Sequence, residues 1–315
     1  MVAVKVALVG TGLIGLGWAI VFARAGHQVA LYDADPRQAD SALRRIREIL
    51  PELSRLGLIG KGDDLAARLT ICDSLEAALA GAAYVQESGP ERLQVKRAIF
   101  ADLDRIADPR AVIATSSSGI RISAIVEGLE GRSRCLVAHP ANPPYLLPIV
   151  EIVPAGWTAP EVVRRVQAFL EDAGQVTVLL NKEIDGFVLN RLQGALLHEA
   201  FRLVEDGVAT ADDVDKTVRE GLGLRWSFMG PFETIDLNAP EGLADYVDRL
   251  GQMYLDFALQ RGAPGPWPSE LVETIERQRR SLLSKAELPK RTAWRDRRLM
   301  ALAVHKAQAD EGPGS

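Results

Sequence analysis

The chain has 315 residues, which exceeds the usual size of one hydrophobic core, so we expect two domains of unequal size. Its hydrophobic content of 47% and charged content of 25% are those of an ordinary globular protein. A net charge of −5 without a basic block excludes the electrostatic footprint of a nucleic-acid-binding protein. Cys72 and Cys135 lie far apart without metal-ligand spacing, which predicts reduced, buried thiols in a cytoplasmic protein without a metal site.

Residues 6 to 23 form an uncharged run long enough to cross a membrane. Four glycines fall in its first two thirds, Lys5 alone precedes it as a positive charge, and no small-residue cleavage site follows. A buried strand that turns into a buried helix explains this run better. We therefore predict no membrane partner.

Short runs rich in Val, Ile and Leu alternate with longer amphipathic stretches as far as about residue 180. These runs are KVALV, QVALYD, LTIC, YVQES, AVIATS, CLVAHP, IVEIV and QVTVLL. Strands that alternate with helical segments imply parallel pairing and right-handed crossovers, so the predicted fold class is α/β with a doubly wound, mostly parallel sheet. Residues 36 to 69 repeat at helical spacing and predict either a helical pair or one long helix.

The pattern changes near residues 182 to 185, after which apolar residues repeat at intervals of three and four. Thr210 has the character of a helix N-cap, and Gly221 and Gly223 are expected to end that helix. We predict a first domain over residues 1–185, an all-helical second domain over 186–308, and a disordered tail over 309–315.

The glycines of GTGLIG follow the first strand directly and open the first helix. In that context the motif is typical of dinucleotide binding, whereas alone it is weak. Gly10 allows a tight turn, Gly12 lets the backbone approach a pyrophosphate, and Gly15 lets helix and strand pack closely. The free amides of the first helical turn, including those of Leu13 and Ile14, would bind the phosphates. The first domain is therefore predicted to be of the Rossmann type.

The residue that selects the dinucleotide is Asp33, which ends the second strand about 20 residues after the glycine turn. A carboxylate there accepts hydrogen bonds from the adenosine ribose and repels a 2′-phosphate, so NAD is favoured over NADP. The alternative is a packing turn with Asp33 as an ordinary loop acid.

One histidine, His139, lies between two apolar runs, and a lone carboxylate, Glu151, lies inside the second run. Both groups are costly to bury unless they are paired, so they are predicted to bind each other. An imidazole oriented in this way is a common general base. The alternative is a structural histidine bonded to backbone with Glu151 on a wet strand face.

The spacing of five polar residues resembles that of the 3-hydroxyacyl-CoA dehydrogenase superfamily; these are Ser118, His139, Asn142, Glu151 and Asn190. The segments ESGPERLQVKR, AHPANPPYLLPIVEIVP and FVLNRLQGALLHEAFRLVEDGV carry the same resemblance, which extends to about residue 303. It implies that His139 takes the hydroxyl proton while Glu151 holds the other imidazole nitrogen. Ser118 and Asn190 would bond the substrate oxygen, and Asn142 would shape the pocket.

Two further details follow from the resemblance. Glu91 and Lys96 match superfamily positions at the cofactor, where Lys96 would reach the nicotinamide ribose. The sequence reads SSSG where the superfamily has NTSS, so the choice of Ser118 over Ser116 and Ser117 depends on counting back from the histidine.

The substrate class depends most on Arg225, which precedes an apolar and aromatic run. A guanidinium suits bidentate capture of a free carboxylate, and the resemblance implies such a role in dehydrogenases of free acids of the L-gulonate type. The alternative is a surface arginine paired with Glu220 or Glu233.

The function predicted first is NAD-dependent oxidation of the 3-hydroxyl of a free L-3-hydroxy acid, of the L-gulonate type, to the 3-keto acid. Three other functions stay open. An L-3-hydroxyacyl-CoA dehydrogenase is disfavoured because residues 51–69 have no obvious basic cluster, and an L-carnitine dehydrogenase because no aromatic cage is evident. A crystallin-like structural protein is disfavoured because the whole polar set is present. Exposed apolar segments of the helical domain and the resemblance together predict a homodimer.

Overall fold

The structure is a computed structural model that describes residues 3–60, 64–260 and 265–310. The chain divides into two compact units, one of Met1–Arg191 with Thr292–Ser315 and one of Leu192–Arg291. This division differs from the predicted domains, because residues 292 to 308 group with the first unit. The side chain of Met300 explains the difference, since it is buried in a hydrophobic core of that unit.

Eight described strands of the first unit form one sheet in the order β3-β2-β1-β4-β5-β6-β7-β8. They are β1 (Lys5–Val9), β2 (Gln28–Tyr32), β3 (Leu69–Ile71), β4 (Ala82–Glu87), β5 (Val112–Thr115), β6 (Cys135–Pro140), β7 (Ile149–Pro154) and β8 (Val176–Leu179). Strand order reverses between β1 and β4, and ligands of doubly wound folds bind at the carboxyl ends of strands at such a point. The predicted strands and fold class are confirmed.

One pair of strands departs from the parallel pairing that alternation with helices implied. β6 and β7 are antiparallel, and His139 lies directly opposite Glu151 in their register. The connection, residues 141 to 148, is too short for a crossover helix, so the chain can only reverse direction.

The helices of the first unit are α1 (Leu13–Arg24), α2 (Pro36–Arg55), α3 (Leu75–Leu79), α4 (Leu93–Ile106), α5 (Ile122–Ile125) and α6 (Pro160–Asp172). The segment after β2 forms one long helix rather than a pair. The Asp35 carboxylate caps α2 by accepting from the amide of Arg37, and Pro36 fills the first helical position.

The core has two parts because alternate strand residues point to opposite faces of the sheet. In β1, Val6 and Leu8 belong to one hydrophobic cluster, and Ala7 and Val9 belong to the other. Each face is therefore covered, as near-continuous apolar strands require.

The second unit is helical throughout its described part. Its helices are α7 (Leu189–Glu205), α8 (Ala211–Thr217), α9 (Gly223–Trp226), α10 (Pro231–Asp236), α11 (Leu243–Gln260), α12 (Ser269–Leu282) and α13 (Leu288–Asp310). Two of these helices belong partly to the first unit: α7 up to Arg191, and α13 from Thr292 onward. The Thr210 hydroxyl caps α8 as predicted.

Two sequence expectations about the helices were wrong. The glycines at 221 and 223 do not end α8, because a π-helical segment, Val218–Leu222, carries the helix on into α9. The predicted tail begins too early, because residues 309 and 310 still belong to α13 and only 311–315 lie outside the described residues.

Within the described ranges, no helix is long and apolar enough to cross a membrane. Cys72 and Cys135 are both free thiols, but only Cys135 is buried; Cys72, predicted to be buried as well, is partly exposed.

Candidate active site

The candidate site begins with a pair of side chains on adjacent strands. The Nδ1 atom of His139 lies 2.8 Å from Oε2 of Glu151, and both side chains are at least 95% buried. A carboxylate can only accept, so Nδ1 carries the proton and the lone pair is on Nε2. No described residue bonds Nε2. The predicted pair is therefore present, in the geometry of an oriented base.

The second oxygen of Glu151 is also occupied. Oε1 accepts hydrogen bonds from the backbone amides of Val188 at 2.7 Å and Leu189 at 2.9 Å. Burial raises the pKa of the Glu151 carboxyl, but hydrogen bonds from His139 and from these two amides together lower the pKa below its usual value. The carboxylate therefore stays ionised beside His139.

The structure distinguishes the three serines that the sequence left ambiguous. The Ser116 hydroxyl is within hydrogen-bond distance of Gln86 at 2.7 Å, and the Ser117 hydroxyl donates to Glu91 at 2.6 Å. The Ser118 hydroxyl is exposed and has no partner among the described residues. Of the three, only Ser118 has a hydroxyl available to a ligand.

The two asparagines differ in their surroundings. The side-chain amide of Asn190 donates to the Ser118 carbonyl oxygen at 2.6 Å, so Asn190 is held against the serine loop. Asn142 is exposed on the β6–β7 loop, and its side chain has no hydrogen bond within the described part of the chain. The geometry thus joins Asn190 to the serine loop, whereas no hydrogen bond between described residues ties Asn142 to that loop.

Glu91 and Lys96 meet, but with a third residue that sequence reasoning missed. The Lys96 ammonium, 1% exposed, lies 2.9 Å from Glu87 and 3.5 Å from Glu91, and Thr115 donates to Glu87 at 2.6 Å. Glu91 in turn accepts from the amide of Ser118 at 2.9 Å. The signal for Glu87 was available, because a carboxylate at the end of the apolar strand YVQES needs a buried partner.

The glycine turn has the close contacts that its sequence predicted. Gly10 has a φ of +95°, and a Cβ there would lie 2.7 Å from the backbone of Ser88. A Cβ on Gly15 would overlap the carbonyl oxygen of Gly10, whereas a Cβ on Gly12 would meet nothing within 4 Å. Gly10 and Gly15 are therefore required by the protein itself, and Gly12 leaves open space for a ligand.

The start of α1 presents free donors beside that space. No described residue accepts from the amides of Gly12, Leu13 or Ile14, and Gly12 caps α1 without a side-chain bond. Asp33 fixes the turn by accepting from the amide of Thr11 at 2.7 Å and its hydroxyl at 3.0 Å. The residues present fit a dinucleotide, whose pyrophosphate such a helix start binds.

Arg225 belongs to the second unit and lies on α9. Its Nε atom is buried without a hydrogen-bond partner. The anticipated surface pairing is not seen, because Glu220 pairs with Arg219 and the described residues show no ion pair of Arg225 with Glu233. The side chain lines a surface depression with Leu222, Leu224 and Phe228. An unpaired guanidinium beside apolar side chains is a candidate anion-binding group.

Among the described residues, no three His, Cys, Asp or Glu side chains are grouped so that they could hold a metal ion.

Comparison with protein families identifies the class. The model of the 3-hydroxyacyl-CoA dehydrogenase NAD-binding domain matches residues 5–184, and that of the C-terminal domain matches residues 186–282. The chain belongs to the 3-hydroxyacyl-CoA dehydrogenase family of NAD-dependent oxidoreductases. The predicted family and cofactor are confirmed.

Individual relatives span nearly the whole chain. The lambda-crystallin homolog of Bos taurus is 44% identical over 314 residues and 96% of both chains. An L-carnitine dehydrogenase of Streptomyces coelicolor is 44% identical over 250 residues, 78% of this chain and 77% of its own. The structure of FHMPC 5-dehydrogenase, an NAD+-dependent dismutase, matches with a TM-score of 0.83 at 25% identity over 96% of this chain and 98% of its own. The similarity to lambda-crystallin homologs over nearly the whole chain agrees with the resemblance that the sequence motifs carry.

Proposed function

We propose that this protein oxidises the 3-hydroxyl of a free L-3-hydroxy acid, of the L-gulonate type, to the 3-keto acid. The observation that carries the proposal is the buried His139–Glu151 pair, 2.8 Å apart, in which no described residue bonds Nε2 of His139. It supplies a base whose proton-accepting atom is fixed in place before substrate arrives.

The chemistry divides among few groups. NAD, when bound, accepts the hydride from C3 of the substrate. His139 Nε2 takes the hydroxyl proton, and ionised Glu151 stabilises the imidazolium that results. The free hydroxyl of Ser118 and the amide of Asn190 hydrogen-bond the reacting oxygen, and Asn142 shapes the pocket beside them.

The cofactor has its own set of residues. The amides of Gly12, Leu13 and Ile14, from which no described residue accepts, would bind the pyrophosphate, and Asp33 would accept from the adenosine ribose. Lys96, which was predicted to reach the nicotinamide ribose, is 1% exposed and lies 3.5 Å from Glu91, so Glu91 is the proposed contact to that ribose and Lys96 supports it. Gly10 and Gly15 hold the turn in shape.

Replacing His139 with Asn tests the proposal. Loss of the base should lower kcat by roughly 10²–10⁴-fold, the usual contribution of a positioned general base. NAD affinity, measured by fluorescence titration, should stay near that of the unmodified protein because His139 does not bind the dinucleotide. A variant with kcat within a few-fold of the unmodified protein would contradict the proposal.

The proposal of a free acid is supported by Arg225, whose buried Nε has no hydrogen-bond partner in the part of the chain that the structure describes. We propose that its guanidinium binds the substrate carboxylate, a group that an acyl-CoA thioester lacks. The L-carnitine dehydrogenases at 41–44% identity make L-carnitine, also a free 3-hydroxy acid, the second candidate.

Two further candidates are weaker. The 3-hydroxybutyryl-CoA dehydrogenase of Escherichia coli has 31% identity and a TM-score of 0.66 over 80% of this chain and 54% of its own, so the thioester stays an alternative. A crystallin-like structural role is disfavoured by the intact His139–Glu151 pair. NAD reduction with any 3-hydroxy acid would exclude a purely structural role.

We also propose a homodimer in the cytoplasm. Large apolar side chains are exposed on α7 and α11, among them Leu192 at 61% and Leu255 at 51%, and a second copy would cover them. Two free thiols favour a reducing compartment.

A further inference from the structure

The segment that joins β8 to α7 contains an unusual backbone conformation. Gly186 has a φ of +75° and Phe187 a φ of +52°, so two consecutive residues are left-handed. Among the described residues other than glycine, Phe187 alone has a positive φ. An aromatic residue is strained in this conformation, which persists only where the surrounding structure enforces it.

The Phe187 side chain is held firmly. It is fully buried and belongs to the hydrophobic cluster formed by one face of the sheet. Its ring lies 5.5 Å from the imidazole of His139, measured between ring centroids, at an interplanar angle of 55°. The ring therefore forms one wall against which the imidazole packs.

The two residues after the turn bind the partner of that histidine. The amides of Val188 and Leu189 converge on one carboxylate oxygen, Oε1 of Glu151, at 2.7 and 2.9 Å. Successive amides that follow a left-handed turn form a concave anion site of the nest type. The turn thus fixes the Glu151 carboxylate from one side while His139 Nδ1 binds it from the other.

We propose that Phe187, with the left-handed turn at Gly186, is a positioning residue for the His139–Glu151 pair. The ring fixes the plane of the imidazole, and the turn presents the two amides that orient the carboxylate. This inference rests on the proposed role of His139 as the base. It assigns the strain at Phe187 a function, since a relaxed backbone would direct neither the ring nor the amides to the pair.

The backbone part of the proposal is tested with two glycine variants. A Cβ on Gly186 would meet only Arg191 Cγ at 3.6 Å and Asn190 Cβ at 3.9 Å, both ordinary contacts, so Gly186→Ala acts through φ alone. Gly174 is the matched control, because its φ is +81° and a Cβ there would meet nothing within 4 Å. Both variants carry the same kind of backbone strain, and only the first alters the turn.

The ring is tested with a second matched pair. Phe187→Leu removes the aromatic wall and keeps the site apolar. Phe100→Leu is its control, because Phe100 is also fully buried in the same hydrophobic cluster and has no contact with the His139–Glu151 pair in the structure. Both changes remove the same volume from the core.

The measurements are kcat, KM for NAD, the midpoint of thermal unfolding, and the isotope effect on kcat with substrate deuterated at C3. We expect Gly186→Ala and Phe187→Leu to lower kcat by ~10–100-fold, the range for a misplaced reacting group, with KM for NAD unchanged. The isotope effect should rise, because the chemical step becomes slower relative to product release. A smaller folded fraction would lower the rate without changing the isotope effect, so the control variants should keep the original value.

The inference is overturned if Gly186→Ala behaves as Gly174→Ala does and Phe187→Leu as Phe100→Leu does. If Phe187→Leu does not fold, the glycine pair alone decides. The His139→Asn variant distinguishes a failure of the positioning proposal from a failure of the proposed function. If that variant is inactive while the turn variants match their controls, only the positioning role is lost, whereas an active His139→Asn overturns both.

Discussion

Glu151 is the residue on which most of the site depends. Its two oxygens join β6, through His139, to the start of α7, through the amides of Val188 and Leu189. Because an ionised carboxylate accepts these hydrogen bonds more strongly than a protonated carboxyl does, the arrangement is most stable while the Glu151 carboxyl is deprotonated. A substitution here should therefore affect folding as well as catalysis.

The pH dependence of stability tests this role. The pKa of the Glu151 carboxyl is raised by burial, yet the hydrogen bonds lower it overall below its usual 4.5. A group whose pKa is lowered by folding contributes stability above its unfolded pKa and loses this contribution as the pH falls through the folded value.

We therefore expect the unmodified protein to be more stable than Glu151→Gln at about pH 6, and the difference to shrink steadily below pH 4.5. Urea unfolding midpoints at a series of pH values provide the measurement. A difference that stays constant, or grows on acidification, would contradict the assigned ionisation.

The residues also show the limits of prediction from sequence. The pairing of His139 with Glu151 was predictable, because two polar groups in apolar runs need partners. The role of Glu87 was missed because its partner, Lys96, was assigned to the cofactor rather than to the interior. Phe187 could not have been found, since a positive φ leaves no sign in an apolar side chain.

At the scale of elements, the turn between β1 and α1 is the proposed pyrophosphate site. Glycine occupies the three motif positions of this turn for different physical reasons. Gly10 and Gly15 have no room for a Cβ against protein backbone, while Gly12 faces open space. The motif therefore divides into two glycines that the protein's own packing requires and one, Gly12, whose proposed role is to admit the cofactor.

Two alanine variants test this division. Gly12→Ala should keep the unfolding temperature within about 2 °C of the unmodified protein, since surface changes cost little, but should weaken NAD binding. Gly15→Ala should lower both the unfolding temperature and the affinity for NAD, because α1 must move away from Gly10. Thermal melts and NAD titrations measure the two effects. If Gly12→Ala binds NAD normally, the pyrophosphate is not at this turn.

Element types were more predictable than their arrangement. All eight strands follow from apolar runs, because a sheet covered on both faces needs them. The antiparallel pairing of β6 with β7 was missed because strand periodicity carries no direction. In the sequence, only the shortness of the loop formed by residues 141–148 distinguishes an antiparallel pairing from a parallel one. The continuation of α8 past Gly221 was missed because local propensity yields to tertiary context.

At the scale of the whole molecule, large apolar side chains are exposed on α7 and α11. On α7, Leu192 and Leu196 lie four residues apart on one face, 61% and 37% exposed. On α11, Tyr254 and Phe257 are nearly half exposed as well. A second copy of this chain is the proposed cover.

Sedimentation equilibrium tests the oligomeric state. A dimer has twice the chain mass of 34.2 kDa, about 68 kDa. We expect that mass at micromolar concentration, and a shift toward 34.2 kDa when Leu192 and Leu196 are both replaced by Glu, since charges are costly in an apolar interface. A monomer at all concentrations would contradict the proposal.

The central claim is oxidation of a free 3-hydroxy acid, and the most direct test compares substrates. The measurement is the initial rate of NAD reduction at about pH 9 with L-gulonate, DL-3-hydroxybutyrate, L-carnitine and L-3-hydroxybutyryl-CoA. It is made for the unmodified protein, for Arg225→Met, and for Arg219→Met as a control on the same segment.

We predict higher kcat/KM for a free acid than for the thioester, with L-gulonate first. Arg225→Met should raise KM for the free acid by one to two orders of magnitude, from the loss of about 1.5–3 kcal/mol of charged hydrogen bonding, and Arg219→Met should not. Preference for L-3-hydroxybutyryl-CoA, with KM for the free acids unchanged in Arg225→Met, would contradict the account and move the protein to the acyl-CoA branch.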